Sequence, residues 1–169
     1  NVVGALTLPV GTSLQGNAIT STGIQFTAVE ATSTVENAID FGSSTRVINV
    51  VDADSTLVLN GSLTFTGTGN TSVQKFGDGT LELHGDNSNL LRIQLGSQTT
   101  GAVNGGRVLI SNRLALGSTN QMFFNYGVLV AATELTGTDS LPVGLSLNAR
   151  TGSPAVLTGA NEEFAGDSS

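Results

Sequence analysis

No cysteine and no tryptophan occur in the 169 residues, and histidine, tyrosine and methionine occur once each. Without cysteine there are no disulfides and no thiolate metal sites, a composition compatible with an oxidising exterior. A single histidine, His84, excludes every mechanism that needs two. Charge is scarce as well: 11% of residues are charged, with six basic against 13 acidic, for a net charge of −7. No basic stripe remains to neutralise phosphates, so nucleic acid and acidic membrane surfaces are unpromising partners. No apolar run approaches the roughly 18 residues needed to span a bilayer, so membrane insertion of this segment is not expected. Asn1 stands where an initiator methionine would, as in a processed product or an excerpt.

What fills the chain instead is glycine, 22 residues of it, together with Thr, Ser and Asn. These residues favour strands and turns over helices. Lys75-Phe76-Gly77-Asp78-Gly79-Thr80-Leu81-Glu82-Leu83-His84-Gly85-Asp86-Asn87 shows the pattern most clearly: a glycine turn, a short alternating strand, a second glycine turn. Variants recur at Leu57-Val58-Leu59, Leu63-Thr64-Phe65, Val108-Leu109-Ile110, Val128-Leu129-Val130 and Leu145-Ser146-Leu147. Each unit is too short to bury its own apolar face and gains stability only when stacked on neighbours.

The spacing therefore predicts an all-β chain folded as a right-handed parallel β-helix, a β-solenoid of about 20 residues per coil with irregular loops. Alternation and flanking turn residues place strands near 4–8, 24–28, 46–51, 56–60, 63–66, 80–84, 107–111, 122–124, 127–131, 145–148 and 155–158. Ala28, Ala31, Val35, Ala38 and Ile39 have helical spacing, but Thr32, Ser33, Thr34 and Val35 are poor helix formers, so a surface loop or one short helix is expected there. A longer echo underlies the coils: Leu8-Pro9-Val10-Gly11-Thr12-Ser13-Leu14 is matched by Leu141-Pro142-Val143-Gly144-Leu145-Ser146-Leu147. On this reading 1–169 is one continuous solenoid segment in which a long unit, 8–140, restarts at 141–169. Neither end carries the charged or proline-rich residues that blunt an open edge, so the solenoid is expected to continue, covalently or by assembly with itself.

The residues around 75–117 resemble the autotransporter-associated β-strand repeats of bacterial surface and passenger proteins. Lys75, Gly77, Gly79, Thr80, Leu81, Leu83, Gly85 and Asn87 fit the pattern of a lysine and two glycines ahead of Thr-Leu-x-Leu-x-Gly-x-Asn. Thr100, Val103, Gly105, Gly106, Val108, Ile110 and Asn112, leading to Leu114-Ala115-Leu116-Gly117, are similar to the second half of that repeat. The aromatic residue and glycine that usually follow the Asn are replaced by Ser88-Asn89-Leu90-Leu91. The resemblance implies a β-solenoid stalk or passenger outside the cell, with structural, adhesive or assembly roles and no shared catalytic site.

Candidate sites are few. Glu82 and His84 are two apart on one strand face, but no nucleophile elbow accompanies them, and a solvated surface pair is the plainer reading. Asp52 and Asp54 are spaced to share a face, where they could bind calcium or flank a glycosidic bond; a solvated strand end explains them equally well. Gly67, Gly69, Gly77 and Gly79 build no phosphate loop and are read as turn glycines. Phe123, Phe124 and Tyr126 form the one aromatic cluster, either core or an exposed contact for a neighbour. Asn60 and Asn70 head glycosylation sequons that matter only in a glycosylating host. The expected function is a structural segment of an extracellular fibre, stalk or surface protein that stacks on itself. The alternatives are an adhesin that contacts surface glycans and, behind it, a polysaccharide-active enzyme using Asp52 and Asp54.

Overall fold

The computed structural model describes residues 4–67, 72–90, 92–96, 104–117, 122–132, 145–147 and 156–159, with 122–124, 145–147 and 156–159 described by their backbone. The chain winds through three parallel sheets, and no helix occurs among the described residues. The first sheet stacks β1 (Leu6–Leu8), β4 (Gly23–Phe26), β7 (Arg46–Val50), β10 (Val73–Phe76), β12 (Ile93–Leu95), β14 (Met122–Phe124) and β16 (Leu145–Leu147) in that order. The second stacks β2 (Ser13–Leu14), β5 (Thr32–Val35), β8 (Thr56–Leu59), β11 (Thr80–Leu83), β13 (Arg107–Ile110), β15 (Val128–Ala131) and β17 (Val156–Gly159). A narrow third sheet holds β3 (Ile19–Thr20), β6 (Ile39–Asp40) and β9 (Leu63–Thr64). Each coil thus contributes one strand to the first sheet, turns a corner and contributes one to the second, which makes the fold a parallel β-helix.

In-register stacking turns the alternation of each strand into columns. Leu57, Leu81, Val108 and Leu129 pair in one inward column and Leu59, Leu83, Ile110 and Ala131 in another. All eight are buried. Removing each of the larger side chains from water contributes about 1.5–3 kcal/mol, and these columns are the main apolar support of the rod. Outward columns are polar or mixed, as in Thr32, Thr56 and Thr80. The third sheet closes the section with Ile39, Leu63 and the ring contact of Phe41 with Phe65, 5.7 Å between centroids.

Coil length is constant in one part of the rod and irregular elsewhere. Ile24 pairs with Ile48, Thr32 with Thr56, Ile39 with Leu63 and Thr56 with Thr80, each an offset of 24. After that the offsets scatter: Val73 to Ile93 is 20, Thr80 to Arg107 is 27, Ile93 to Met122 is 29 and Arg107 to Val128 is 21.

Every strand expected from alternation is present within a residue or two. The segment around 28–39 corrects the expectation of a loop or helix, because it holds β5 and β6. The apparent helical spacing arises from two strands either side of a corner, with Val35 and Ile39 fully buried. Also unforeseen were β2, β3, β10 and β12. Most of 141–169 lies outside the described residues, and the two copies of the matched phrase occupy different sheets: Ser13–Leu14 stands in the second and Leu145–Leu147 in the first.

Candidate functional site

The buried polar side chains mark the chemistry of this molecule, and they lie between coils. Lys75 takes its place from β10, which pairs Lys75 with Ile48 on one side and Leu95 on the other. Further along the same column, Ile24 pairs with Ile48 and Leu6 with Ile24, so a lysine fills a rung that is otherwise aliphatic. It is the one lysine of the chain, and it is 0% exposed. Its Nζ donates to the carbonyl oxygens of Phe76 at 2.8 Å, Gly77 at 3.0 Å and Gly105 at 3.2 Å. An ammonium has three protons to donate, and three carbonyls receive them. Burial pushes its pKa down to about 7, and the neighbouring Asp78 carboxylate opposes that shift.

Glycines bring these carbonyls together. Gly106, at φ 55°, lies so close to the turn below that an added Cβ would overlap the carbonyl oxygens of Gly79, Gly77 and Asp78. Gly77, at φ 81°, lies equally close to the Val50 carbonyl. A second tie joins the same two turns, since Asn104 Nδ2 donates to Asp78 Oδ1. Gly105 N–H donates in turn to the Tyr126 carbonyl of the next coil at 3.0 Å.

Asn87 repeats this logic at another corner. Its Oδ1 accepts from the Leu63 N–H at 2.6 Å, one coil below, and its Nδ2 donates to the Ala115 carbonyl at 2.7 Å, one coil above. In and beside the second sheet, two serines each reach the preceding coil twice with a single hydroxyl. Ser33 Oγ accepts from Thr12 N–H and donates to Pro9 O, and Ser55 Oγ accepts from Ala31 N–H and lies 2.8 Å from Ala28 O. Ser21, Asn37, Ser72 and Asn125 likewise reach Gly4, Asn17, Thr45 and Gly96. Every buried polar residue among the described residues therefore bonds to a residue 17 to 30 positions away, on a neighbouring coil.

The remaining motif residues are core or corner. Leu81 and Leu83 are inward, Thr80 is outward, Gly79 is buried where Asp52 O and Ser55 O leave no room for a side chain, and Gly85 stacks on Gly61. The replaced stretch after Asn87 closes its own turn: Leu90 is fully buried and its N–H donates to Asn87 O at 2.7 Å.

Asp52 and Asp54 lie in the corner between β7 and β8, not on a strand, so strand alternation does not set their faces. Asp52 Oδ1 accepts from the Glu30 N–H at 2.9 Å and lies 3.0 Å from Ser55 Oγ. The Glu30 N–H above all holds this carboxyl below the usual carboxylate range; desolvation opposes it, and Ser55 and the Asp54 N–H add to it. Asp54 is exposed. Among the described residues no three acidic or histidine side chains gather to hold a metal ion. His84 Nε2 lies 3.3 Å from Glu82 Oε2 on the outer surface. In the strand register Phe123 pairs with Gln94 and Phe124 with Leu95. Tyr126 is half-buried and meets β12 through its N–H, which donates to Leu95 O.

The sequence alone shows Lys75 and Asn87 as motif residues without a chemical part, Ser33 only as a poor helix former, and Ser55 not at all. The signal that could have found them is a polar residue at an inward position of an alternating strand or at its edge. No family model, no curated protein and no solved structure matches the chain.

Proposed function

We propose that this chain is a structural segment of an extracellular bacterial fibre, stalk or large surface or passenger protein, and that its chemistry is coil-to-coil stacking with itself. The observation that carries this reading is the use of the buried polar groups: side chains that an enzyme would aim into a cleft here join one coil to the next. β1, β2 and β3 stand first in their sheets among the described residues, with Leu6, Leu14 and Ile19 half-buried, and a further coil, of the same chain or of another copy, would stack on that side as each coil does on the next. Asp52 Oδ1 already accepts from the Glu30 N–H of the neighbouring coil and from Ser55 Oγ, which supports a structural part for it over general acid or calcium chemistry.

Negative-stain electron microscopy of the native material, read beside its intact mass, tests the proposal. Long uniform filaments of small subunits mean assembly between copies, and filaments of a far heavier chain mean covalent continuation. Dispersed short particles would refute the fibre.

A second reading has one feature in its favour. Gln25 and Asn49, and alongside them Gln74 and Gln94, pair across coils on the outer face of the first sheet. Rows of amides suit the hydroxyls of glycans, and binding on a glycan array without filaments would favour an adhesin.

A further inference from the structure

Three features of the molecule bear further thought: the exposed corner valines Val10, Val29 and Val51, the acidic corner of Glu30, Asp52 and Asp54, and the buried Lys75 cage, whose part in the proposed stacking goes beyond joining two coils. Nothing in the structure shows what would cover the valines, and the acidic side chains of the corner do not gather closely enough to hold a metal ion. The cage leads further.

We propose that Lys75 sets the register at the junction between the coil carrying β10 and β11 and the coil that follows, selecting one stacked arrangement among several that the apolar columns would accept.

The apolar columns do not choose. Across this junction Leu81 faces Val108 and Leu83 faces Ile110. A slip of two residues keeps every inward side chain inward and exchanges one aliphatic contact for another, so apolar burial alone separates the two registers weakly. Coil length does not choose either. The offset of 24 does not persist: on the first sheet β10 follows β7 by 27 and β12 follows β10 by 20, while on the second β13 follows β11 by 27.

Lys75 does choose. Two of its acceptors, Phe76 O and Gly77 O, belong to its own turn, and the third, Gly105 O, is brought in by the next coil. Sliding β13 by two residues carries Gly105 about 7 Å along the strand direction and away from the ammonium. A buried polar group that loses its acceptor is strongly disfavoured, and such groups are known devices for fixing the register of repeated apolar structures. The close approach of Gly106 to the turn at Gly77–Gly79 admits the correct register and leaves no space for a residue with a side chain at that point. Asn104 on Asp78 acts in the same sense from the outside of the turn.

The absence of cysteine makes the test clean, because paired cysteines report the register directly. In the full chain, Glu82→Cys with Leu109→Cys places the pair opposite one another in the observed register. Glu82→Cys with Arg107→Cys places them opposite only after a slip of two, and in the observed register they are too far apart to bridge. With Lys75 present, oxidation should link the first pair at least about tenfold more than the second. With Lys75→Leu or Lys75→Met, which continue the aliphatic column, the two yields should come within about threefold of each other. Urea midpoints on the same variants separate a loss of stability from a loss of register. Exclusive linkage of the first pair in folded Lys75→Leu or Lys75→Met would overturn the proposal. So would failure of both variants to fold, since Lys75 would then be required for folding and not for a choice among folded registers.

Discussion

Raising the pH should stabilise this protein across a range where most proteins gain nothing, and Lys75 is the reason. In the unfolded chain its amine titrates at the ordinary lysine value of 10.5, and in the fold at about 7. Between those values the folded chain holds fewer protons than the unfolded chain, so the stability rises with pH. Below about pH 7 the ammonium is present in both states and the fold carries its full desolvation cost; above about 10.5 the amine is neutral in both and the gain is complete. The slope within the window is about 1.4 kcal/mol per pH unit, and the 3.5 units between 10.5 and 7 set a ceiling of about 5 kcal/mol. The carbonyls of Phe76, Gly77 and Gly105 favour the ammonium and draw the true figure below that ceiling. Few other groups interfere, because the chain has no cysteine, one histidine and one tyrosine. Urea midpoints taken from about pH 6.5 to about 9.5 should rise steadily, and those of Lys75→Leu should stay level. The lysine Cε resonance, a single signal in a lysine-labelled sample, follows the titration directly. A wild-type midpoint that stays flat or falls through this window would refute the reasoning, since the carbonyl bonds would then outweigh the cost of burying the charge.

Asn87→Ala should cost about 2–5 kcal/mol, because it leaves Leu63 N–H and Ala115 O buried without partners, and thermal melts of the two proteins check it. Ser55→Ala strands Ala31 N–H in the same way and should cost about 1–3 kcal/mol in urea unfolding, whereas Ser55→Thr, which keeps the hydroxyl, should cost less. Gly106→Ala should prevent the junction from closing, visible as loss of hydrogen-exchange protection at Arg107 and Val128, because its Cβ has no room beside the Gly77 and Gly79 carbonyls. His84→Ala should change the melting temperature by no more than about 0.5 kcal/mol equivalent, as expected of an exposed surface pair. Millimolar calcium should leave the melting temperature unchanged, and a rise that Asp52→Asn removes would restore the metal reading of that corner.

The parts of the fold legible in the sequence are those where an aliphatic residue occupies each inward position. Leu81 and Leu83, Leu57 and Leu59, Val108 and Ile110 declare their strands by alternation alone. The strands that escaped are of two kinds: β2, β3, β6 and β12 are only two or three residues long, too short for alternation to show, and β5 and β10 carry a polar residue in an inward place. Ser33 breaks the pattern of β5 and Lys75 that of β10, and both are tolerated because another coil completes their hydrogen bonds. Nothing local could announce this, since Gly105 lies 30 residues from Lys75 and Pro9 lies 24 from Ser33. The turn glycines were readable as glycines. Their task of drawing carbonyl oxygens into one cage was not, because it depends on which corner lies above which.

The parallel strands also decide how the rod bears load. Their hydrogen bonds run along the stacking axis and the strands run across it, so a pull on the two ends opens one ladder at a time instead of shearing many together. Each coil of 24 residues that gives way frees about 80 Å of extended chain in place of a rise of about 5 Å. Such a material yields by lengthening. Force would climb where polar clasps reinforce the ladder, with the Lys75 junction foremost, and a stretched molecule would pause there before releasing the next coil.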